Sequence, residues 1–203
     1  MTFTGTLLPY QDDAVDAMVS RQKMLVAYDL GLGKTVITIA ACERLRDEGL
    51  LDGTVLVVAL ASLKYQWAKE IEKFSDASVT VIDGTKAKRQ EQIESADTDY
   101  LVTNYESIVN DWKQFSTMQF GAIVMDEATA LKSFRSKRSK KMKELTRKVD
   151  IRFALTGTPI ENGKPEEIYS IMQAVDGRLL GRFDVFDQTF IVRGMFGQPE
   201  RYR

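Results

Sequence analysis

The stretch that decides the fold is DLGLGKT, from Asp29 to Thr35, which lies between two apolar segments. Met24 to Ala27 precede it and have the pattern of a short buried strand, and residues 35–41, TVITIAA, continue as an apolar helix. A strand, a Gly-rich turn and a helix beginning with Lys-Thr form the context of a phosphate-binding loop. Gly31 and Gly33 allow a tight turn that exposes main-chain N–H groups to a phosphate chain, and the positive end of the helix dipole adds to this attraction.

Every residue of this stretch is therefore a candidate phosphate contact, namely Asp29, Leu30, Gly31, Leu32, Gly33, Lys34 and Thr35. Lys34 can reach the terminal phosphates as a catalytic cation, and Thr35 can offer its hydroxyl to Mg²⁺. The usual pattern GxxxxGK[ST] has Gly where this chain has Tyr28, so the stretch alone also fits a Gly-rich turn before an ordinary helix. Phosphoryl transfer also needs a carboxylate near the metal, and that partner distinguishes the two interpretations.

An acidic pair in the second half of the chain supplies this carboxylate. Ala122 to Met125 form a short apolar run, and Asp126 and Glu127 follow at its carboxyl end. Parallel strands deliver ligands at that edge of a sheet. We expect Asp126 to hold Mg²⁺, directly or through water, and Glu127 to orient the attacking water. An acidic pair after a strand can also be a helix N-terminus, but together with the loop it favours nucleotide hydrolysis.

Composition excludes several other classes of protein. The chain has 203 residues, 44% of them hydrophobic and 28% charged, which suits one sizeable core, and its net charge of −1 gives no sign of a nucleic-acid partner. Histidine is absent, which excludes Ser-His-Asp and Cys-His nucleophiles and His-ligated metals. Cys42 is the only cysteine, so we expect no internal disulfide. No signal peptide and no apolar run of the ~20 residues that span a membrane are evident, and we expect a cytoplasmic protein, or a nuclear one in a eukaryote.

Strands and helices alternate along the chain. The apolar patterns predict strands at Met24–Ala27, Thr54–Ala59, Val79–Ile82, Tyr100–Thr103, Ala122–Met125 and Arg152–Thr156. They predict helices from Pro9, over 34–48, from an N-cap at Ser62, over 85–95, 105–115 and 136–147, and over 165–175. This order indicates an α/β fold with a mostly parallel sheet and helices on both faces. Beyond Asp176 the alternation stops, and four phenylalanines, Phe183, Phe186, Phe190 and Phe196, predict a short extension over 176–203 that packs on the lobe formed by residues 1–175.

Six sequence blocks resemble one family in their order along the chain. LLPYQ, DLGLGKT, SLKYQW, TNYE, DEATALKS and LTGTPIEN, between residues 7 and 175, are similar to the first motor lobe of Swi/Snf-type ATPases, helicase-like proteins of superfamily two. The resemblance implies a RecA-like P-loop NTPase lobe that binds ATP with Mg²⁺ and acts on double-stranded DNA.

The resemblance also implies roles for individual residues. Gln11 is expected to read adenine, with Tyr10 beside it in the nucleotide site. Thr156 and Thr158 are expected to couple the nucleotide state to DNA binding. The loops that face the nucleic-acid backbone in the family contain Ser62, Lys64, Thr103 and Asn104.

Three departures from the family pattern bear on the coupling between nucleotide state and DNA more than on nucleotide binding. Tyr28-Asp29-Leu30 stands where the family usually has Asp-Glu-Met, Leu60 stands in place of Pro, and Thr129 stands where His or another polar residue is usual.

A basic run follows the acidic pair. It contains Lys132, Arg135, Lys137, Arg138, Lys140, Lys141, Lys143, Arg147, Lys148 and Arg152. Such a run is commonly a solvated helix face, but its position also suits sequence-independent contacts with DNA phosphates, with Lys132 and Arg135 as the first candidates. Trp67 shares a helical face with Leu63 and Ile71, which favours a core position over base stacking, whereas Trp112 fits either role.

Two classes of function remain open at this stage. The first is an ATP-driven motor lobe, whose turnover alone should be very slow because the second lobe that completes the family's ATP site is absent from this chain. That lobe then belongs to the rest of a longer protein or to a separate chain. The second is a nucleotide-binding or protein-interaction module without turnover, which Thr129 and the absent second lobe favour.

Overall fold

The fold is a six-stranded, fully parallel sheet in the order β1-β6-β5-β2-β4-β3. The computed structural model describes residues 2–160, 164–193 and 199–202. The strands of this sheet are β1 (Lys23–Ala27), β2 (Val55–Ala59), β3 (Val79–Val81), β4 (Tyr100–Asn104), β5 (Ala122–Met125) and β6 (Ile151–Thr156). A separate antiparallel pair is formed by β7 (Ile191–Arg193) and β8 (Pro199–Tyr202).

Helices connect the strands. They are α1 (Pro9–Arg21), α2 (Lys34–Asp47), α3 (Lys64–Phe74), α4 (Lys86–Glu94), α5 (Tyr105–Asn110), α6 (Trp112–Phe115), α7 (Lys137–Thr146), α8 (Pro165–Val175) and α9 (Phe183–Phe190). Short 3₁₀ turns lie at Ala61–Leu63 and Ala128–Leu131. No helix in the described part of the chain is both long and apolar enough to cross a membrane.

Each face of the sheet has its own hydrophobic core. Along β2, Val55, Val57 and Ala59 join the core beneath α1, α2 and α3, whereas Leu56 and Val58 join the core beneath α5, α7 and α8. This alternation follows from the two-residue period of a strand, and it explains why β2 is apolar at every position. The predicted α/β fold with a parallel sheet and helices on both faces is confirmed.

The strand order brings the predicted site residues to one edge of the sheet. β6 lies between β1 and β5, with Ala27 beside Thr156 and Met125 beside Ala154. The chain segments that leave β1, β6 and β5 are therefore neighbours at the carboxyl ends of the strands. The order of the strands cannot be predicted from sequence periodicity, because the order depends on pairings between distant segments.

Several local predictions differ from the structure. Ser62 was expected to cap a helix, but it lies inside the 3₁₀ turn and α3 begins at Lys64 with no side-chain cap, so that prediction is wrong. The helix predicted over 105–115 is divided into α5 and α6 at Asp111. The segment that follows the acidic pair contains a 3₁₀ turn at Ala128–Leu131. Trp67 is buried as predicted. Cys42 is also buried, and this burial raises the pKa of its thiol to about 12.

Aromatic residues join α9 to the rest of the fold. Phe186 is buried, and its ring lies 4.8 Å from that of Tyr169 on α8 and 4.9 Å from that of Phe190. Phe183 stacks on Phe134 at 6.1 Å between ring centroids. Phe183 and Phe186 thus pack on residues of the lobe, as predicted, whereas Phe190 packs on Phe186 within α9. Phe196 lies outside the described residues.

Candidate nucleotide site

The glycine loop has the backbone that its sequence predicts. Gly31 has φ 82° and Gly33 has φ 76°, values in the left-handed region where a side chain is strained. Gly33 is the N-cap of α2, and the helix begins at Lys34. The N-terminus of α2 therefore opens directly from the loop, and its first-turn N–H groups and dipole form an anion site.

Lys34 lies folded over its own loop. Its Nζ donates hydrogen bonds to the main-chain oxygens of Tyr28 at 2.8 Å and Asp29 at 3.1 Å. The ammonium is therefore held above the turn and within the site. Both acceptors are uncharged carbonyl groups, which a phosphate oxygen can replace with a stronger, charge-assisted hydrogen bond.

The loop and the acidic pair line the same cavity, which has a volume of ≈ 380 Å³. Its wall comes from the phosphate loop, from the amino end of α2, from one face of α3 and from the carboxyl end of β5. Lys34, Thr35, Asp126 and Glu127, which lie up to 93 positions apart in the chain (127 − 34 = 93), all contribute to it. Leu30, Gly31 and Gly33 line it as well.

Asp126 is held firmly at the end of β5. Its carboxylate oxygen Oδ2 accepts a hydrogen bond of 2.8 Å from the indole Nε1 of Trp67, and its main-chain oxygen accepts one of 2.7 Å from the hydroxyl of Tyr105. Burial raises the pKa of the Asp126 carboxyl, while the hydrogen bonds from Trp67 and from the main chain of Glu127 and the charge of Lys34 act in the opposite direction.

The contact between Trp67 and Asp126 is a site feature that helical periodicity did not reveal. Periodicity predicted only that Trp67 is buried. A signal existed nonetheless, because a buried indole N–H usually finds an acceptor.

Glu127 has an unusual backbone conformation. With φ 44° and ψ 58° it is one of two non-glycine residues with positive φ among the described residues, the other being Gln22. Such strain in a non-glycine residue persists where the surrounding structure enforces it, and it is common at functional sites. The turn places Glu127 at the wall of the cavity immediately beside Asp126.

Tyr10 and Gln11 contact the loop from the first turn of α1. The Tyr10 hydroxyl and the Gln11 Nε2 donate hydrogen bonds to the main-chain oxygen of Leu32, at 3.2 and 3.4 Å. Gln11 Oε1 accepts a hydrogen bond of 3.0 Å from the main-chain N–H of Leu8, which fixes the amide orientation. Both residues therefore lie next to the phosphate loop.

The predicted coupling residues lie at the end of β6, beside the loop. Thr156 is buried, and its hydroxyl accepts a hydrogen bond of 3.1 Å from the main-chain N–H of Thr158, which is exposed. A Cβ built on Gly157 would lie 3.6 Å from the Leu30 side chain, so this segment packs on the phosphate loop. The last residues of the LTGTPIEN block, Glu161 and Asn162, lie outside the described residues.

The oxygen ligands in the cavity fit Mg²⁺. Proteins usually bind this ion through one or two carboxylates together with substrate phosphates, and Thr35 and Asp126 offer a hydroxyl and a carboxylate in one cavity. Among residues 2–160, 164–193 and 199–202, no cluster of three or more acidic or cysteine side chains could enclose a metal by itself.

The structure corrects half of the predicted nucleic-acid contacts. Lys64 is 3% exposed, and its ammonium donates to the main-chain oxygen of Ile82 at 2.8 Å and to Asp83 Oδ1 at 2.9 Å, so it is committed to an internal ion pair. Thr103 is fully buried. Asn104 is also buried, and its side chain caps α5 by accepting from the main-chain N–H of Ser107. These three residues do not present their side chains to a ligand at the surface.

The remaining predicted contacts, Ser62, Lys132 and Arg135, are exposed. A second cavity, of ≈ 480 Å³, lies between α5 and the start of α7, and Lys132 lines it together with Thr129 and Lys137 among others. Later members of the basic run bond to the protein itself. Arg138 pairs with Glu106, and Lys148 donates to the main-chain oxygen of Ser116. Exposed positive charge nevertheless extends along the run, because Lys137, Lys140 and Arg147 are exposed as well as Lys132 and Arg135.

Comparison with known proteins agrees with this geometry. The SNF2-related domain family matches residues 10–201. A zebrafish (Danio rerio) chromodomain-helicase-DNA-binding protein 1-like is 33% identical over 175 residues, covering 82% of this chain and 17% of the relative. A putative ATP-dependent helicase/translocase of Bacillus subtilis, YwqA, is 27% identical over 198 residues, covering 94% of this chain and 21% of the relative.

A solved structure is similar as well. The SWI2/SNF2 ATPase core of Sulfolobus solfataricus in complex with double-stranded DNA superposes with a TM-score of 0.81 at 32% identity, covering 93% of this chain and 39% of that one. The chain thus spans well under half the length of the proteins that it matches. The fold, the order of the sequence blocks and these matches agree, and the chain belongs to the SNF2-related family.

Proposed function

We propose that this chain binds ATP with Mg²⁺ and hydrolyses it as the N-terminal motor lobe of a DNA-dependent ATPase that translocates on double-stranded DNA. The observation that carries the proposal is the shared cavity. It joins a glycine loop at a helix N-terminus, the Lys34 ammonium, the Thr35 hydroxyl and the carboxylates of Asp126 and Glu127. These are the groups that phosphoryl transfer to water requires on one lobe.

In this proposal the phosphate chain lies across the loop and the amino end of α2. Main-chain N–H groups bind it, and Lys34 exchanges its carbonyl partners on Tyr28 and Asp29 for terminal phosphate oxygens. Thr35 and Asp126 would hold Mg²⁺, which when bound neutralises charge on the phosphate oxygens. Gln11 contributes adenine selectivity through an amide that is already oriented at the loop.

Glu127 is the proposed residue that orients the attacking water. It follows Asp126 directly, lines the cavity, and is held in a left-handed conformation by the 3₁₀ turn that starts after it. Its carboxylate can accept a hydrogen bond from water while the phosphate is attacked. The family resemblance supports a second lobe, in the same protein or in another chain, whose arginines complete the site. Such arginines are worth ~10³–10⁵ in rate, so this lobe alone should turn over very slowly.

Double-stranded DNA is the proposed partner because the similar Sulfolobus core is a complex with double-stranded DNA and because exposed cations cluster on the rim. Lys132 and Arg135 follow the turn after the acidic pair, and Ser62 follows the neighbouring strand β2. Contacts from such residues to phosphates are independent of base sequence and sensitive to salt.

Titrations of duplex DNA at several salt concentrations test this proposal. Lys132→Ala and Arg135→Ala should each weaken binding about equally on unrelated sequences and reduce the slope of log K against log salt by ~1. Lys86→Ala and Lys88→Ala are matched controls, because both lysines are exposed in the first turn of α4. This helix follows the edge strand β3, which β2 and β4 separate from β5, the strand that leads to Lys132 and Arg135. If the control variants lose as much DNA affinity as Lys132→Ala and Arg135→Ala do, the electrostatic attraction is diffuse, and specific contacts from these two residues to DNA are refuted.

The choice of control depends on the structure. Arg89 lies on the same helix, but it forms a two-pronged ion pair with the buried Asp111, at 2.6 and 3.1 Å. Its removal would leave a buried carboxylate unpaired and would destabilise the fold. Arg89 is therefore excluded from the control set.

A further inference from the structure

The indole of Trp67 reaches from one sequence block of the site to another. Its Nε1 lies 2.8 Å from Asp126 Oδ2, and the two side chains line the nucleotide cavity together. Trp67 is 2% exposed and Asp126 is 8% exposed, so little water competes for this hydrogen bond. A hydrogen bond between a neutral donor and a buried carboxylate is stronger than one between two neutral groups.

Both partners are anchored independently of each other. Trp67 lies in α3, where its ring belongs to the core that also contains Ile71 and Val57. The main chain of Asp126 is fixed on both sides, because its N–H donates to the oxygen of Val58 at 2.8 Å and its oxygen accepts from the Tyr105 hydroxyl at 2.7 Å. With the backbone held, the rotation of the carboxylate is the principal freedom that remains, and the indole N–H restricts it.

We propose that Trp67 is a positioning residue that fixes the Asp126 carboxylate in the orientation that binds the nucleotide-bound Mg²⁺. This inference rests on the proposed function and adds to it a residue that no comparison assigns to the metal site. Without the indole N–H, the carboxylate must be ordered when the metal arrives, and that ordering weakens metal binding. In metal sites, loss of a partner that orients a ligand typically costs about 10–100-fold in metal affinity.

An isosteric replacement separates this role from packing. The chain has two tryptophans, Trp67 and Trp112, so the experiment uses a Trp112→Phe background in which position 67 is the only tryptophan. Incorporation of 3-benzothienylalanine then replaces the N–H by sulfur and leaves the bicyclic ring in place. Incorporation of 4-fluorotryptophan, which keeps the N–H, is the matched control, and Trp67→Phe is a second, genetically encoded variant.

The readout is binding of a β,γ-imido analogue of ATP by calorimetry, in EDTA and across a Mg²⁺ titration. We expect the benzothienyl protein to bind the metal-free analogue as tightly as the control protein, within about twofold. The factor by which Mg²⁺ increases its affinity for the analogue should be at least about tenfold smaller than in the control. Trp67→Phe should likewise keep its affinity for the analogue in EDTA and lose affinity in Mg²⁺.

Three results would overturn the proposal. An unchanged Mg²⁺ enhancement would show that the hydrogen bond is irrelevant to metal binding, and an equal loss in EDTA and in Mg²⁺ would show that Trp67 only supports the fold. Absence of analogue binding by the unsubstituted protein in both conditions would instead refute the nucleotide function itself, and the inference with it.

Discussion

Replacing Gly33 by alanine tests how the phosphate loop depends on Gln11. Gly33 has φ 76°, and a Cβ at this position would lie 2.5 Å from Gln11 Nε2 and 3.1 Å from Val36 Cγ1. The first distance is too short for any contact, so the Gln11 amide must leave the loop. Gly31 is the matched comparison, because it has φ 82° and, apart from Gly31 itself and its two chain neighbours, no heavy atom of the described residues lies within 4 Å of its Cβ position.

The magnitude follows from two contributions. Left-handed backbone costs a non-glycine residue about 1–2 kcal/mol, and this cost applies to both variants. Gly33→Ala additionally breaks the hydrogen bond from Gln11 Nε2 to the Leu32 oxygen, which is worth about 0.5–1 kcal/mol at its length of 3.4 Å. We therefore expect Gly33→Ala to lower the free energy of unfolding by about 0.5–1 kcal/mol more than Gly31→Ala.

Urea denaturation of both variants, with and without Gln11→Ala, completes a double-mutant cycle. In the Gln11→Ala background, Gly33→Ala and Gly31→Ala should lower the free energy of unfolding by more similar amounts, because the amide that clashes with the new Cβ at position 33 is gone. The Oε1 hydrogen bond to Leu8 is lost in every protein that carries Gln11→Ala, so it cancels. A coupling energy indistinguishable from zero would refute the contact between Gln11 and the loop.

Two further substitutions test hydrolysis and burial. Glu127→Gln keeps the shape of the side chain but removes its charge. The variant should therefore bind Mg²⁺-ATP as tightly as the wild type, within about twofold, and form no product in a single-turnover hydrolysis assay. Product formation at the wild-type rate would exclude Glu127 from catalysis. Lys143→Met removes a buried ammonium that has no hydrogen-bond partner in the described structure and whose pKa burial lowers from 10.5 to about 8. Since the unfolded chain keeps this proton to higher pH than the folded chain does, wild-type stability should rise between about pH 8 and 10.5 relative to Lys143→Met, and the variant should be more stable by about 1–2 kcal/mol at pH 7. Parallel stability profiles for the two proteins would contradict this.

The local structure of the candidate nucleotide site was largely predictable from the sequence, because its signals are local. The glycines, Lys34 and Thr35 adjoin one another, and the acidic pair directly follows an apolar strand. What the sequence did not contain is the strand order, which places β6 between the two motifs. That order depends on pairings between distant segments, such as Lys23 of β1 with Arg152 of β6, which residue periodicity cannot encode.

The nucleic-acid residues were harder to predict because a rim position does not determine where a side chain points. Lys64 lies after the carboxyl end of β2, at the edge of the sheet where it was expected. Its ammonium, however, donates a hydrogen bond to Asp83, which follows β3 at the same edge. Asn104 carried a readable signal, since Asn before a helix is a favoured N-cap, and the structure shows that cap. Trp67 shows the same limit, because its helical spacing predicts burial but not a hydrogen bond to a residue 59 positions away.

Calorimetric titration of Mg²⁺-ADP into the wild-type chain and into Lys34→Ala tests the central claim most directly. Lys34 brings a positive charge to the loop, and its loss should weaken binding by about 2–3 kcal/mol, or about 30–150-fold, while the free energy of unfolding changes little. Equal affinity in the two proteins, or no binding by the wild type, would contradict the assignment of this loop as a nucleotide site.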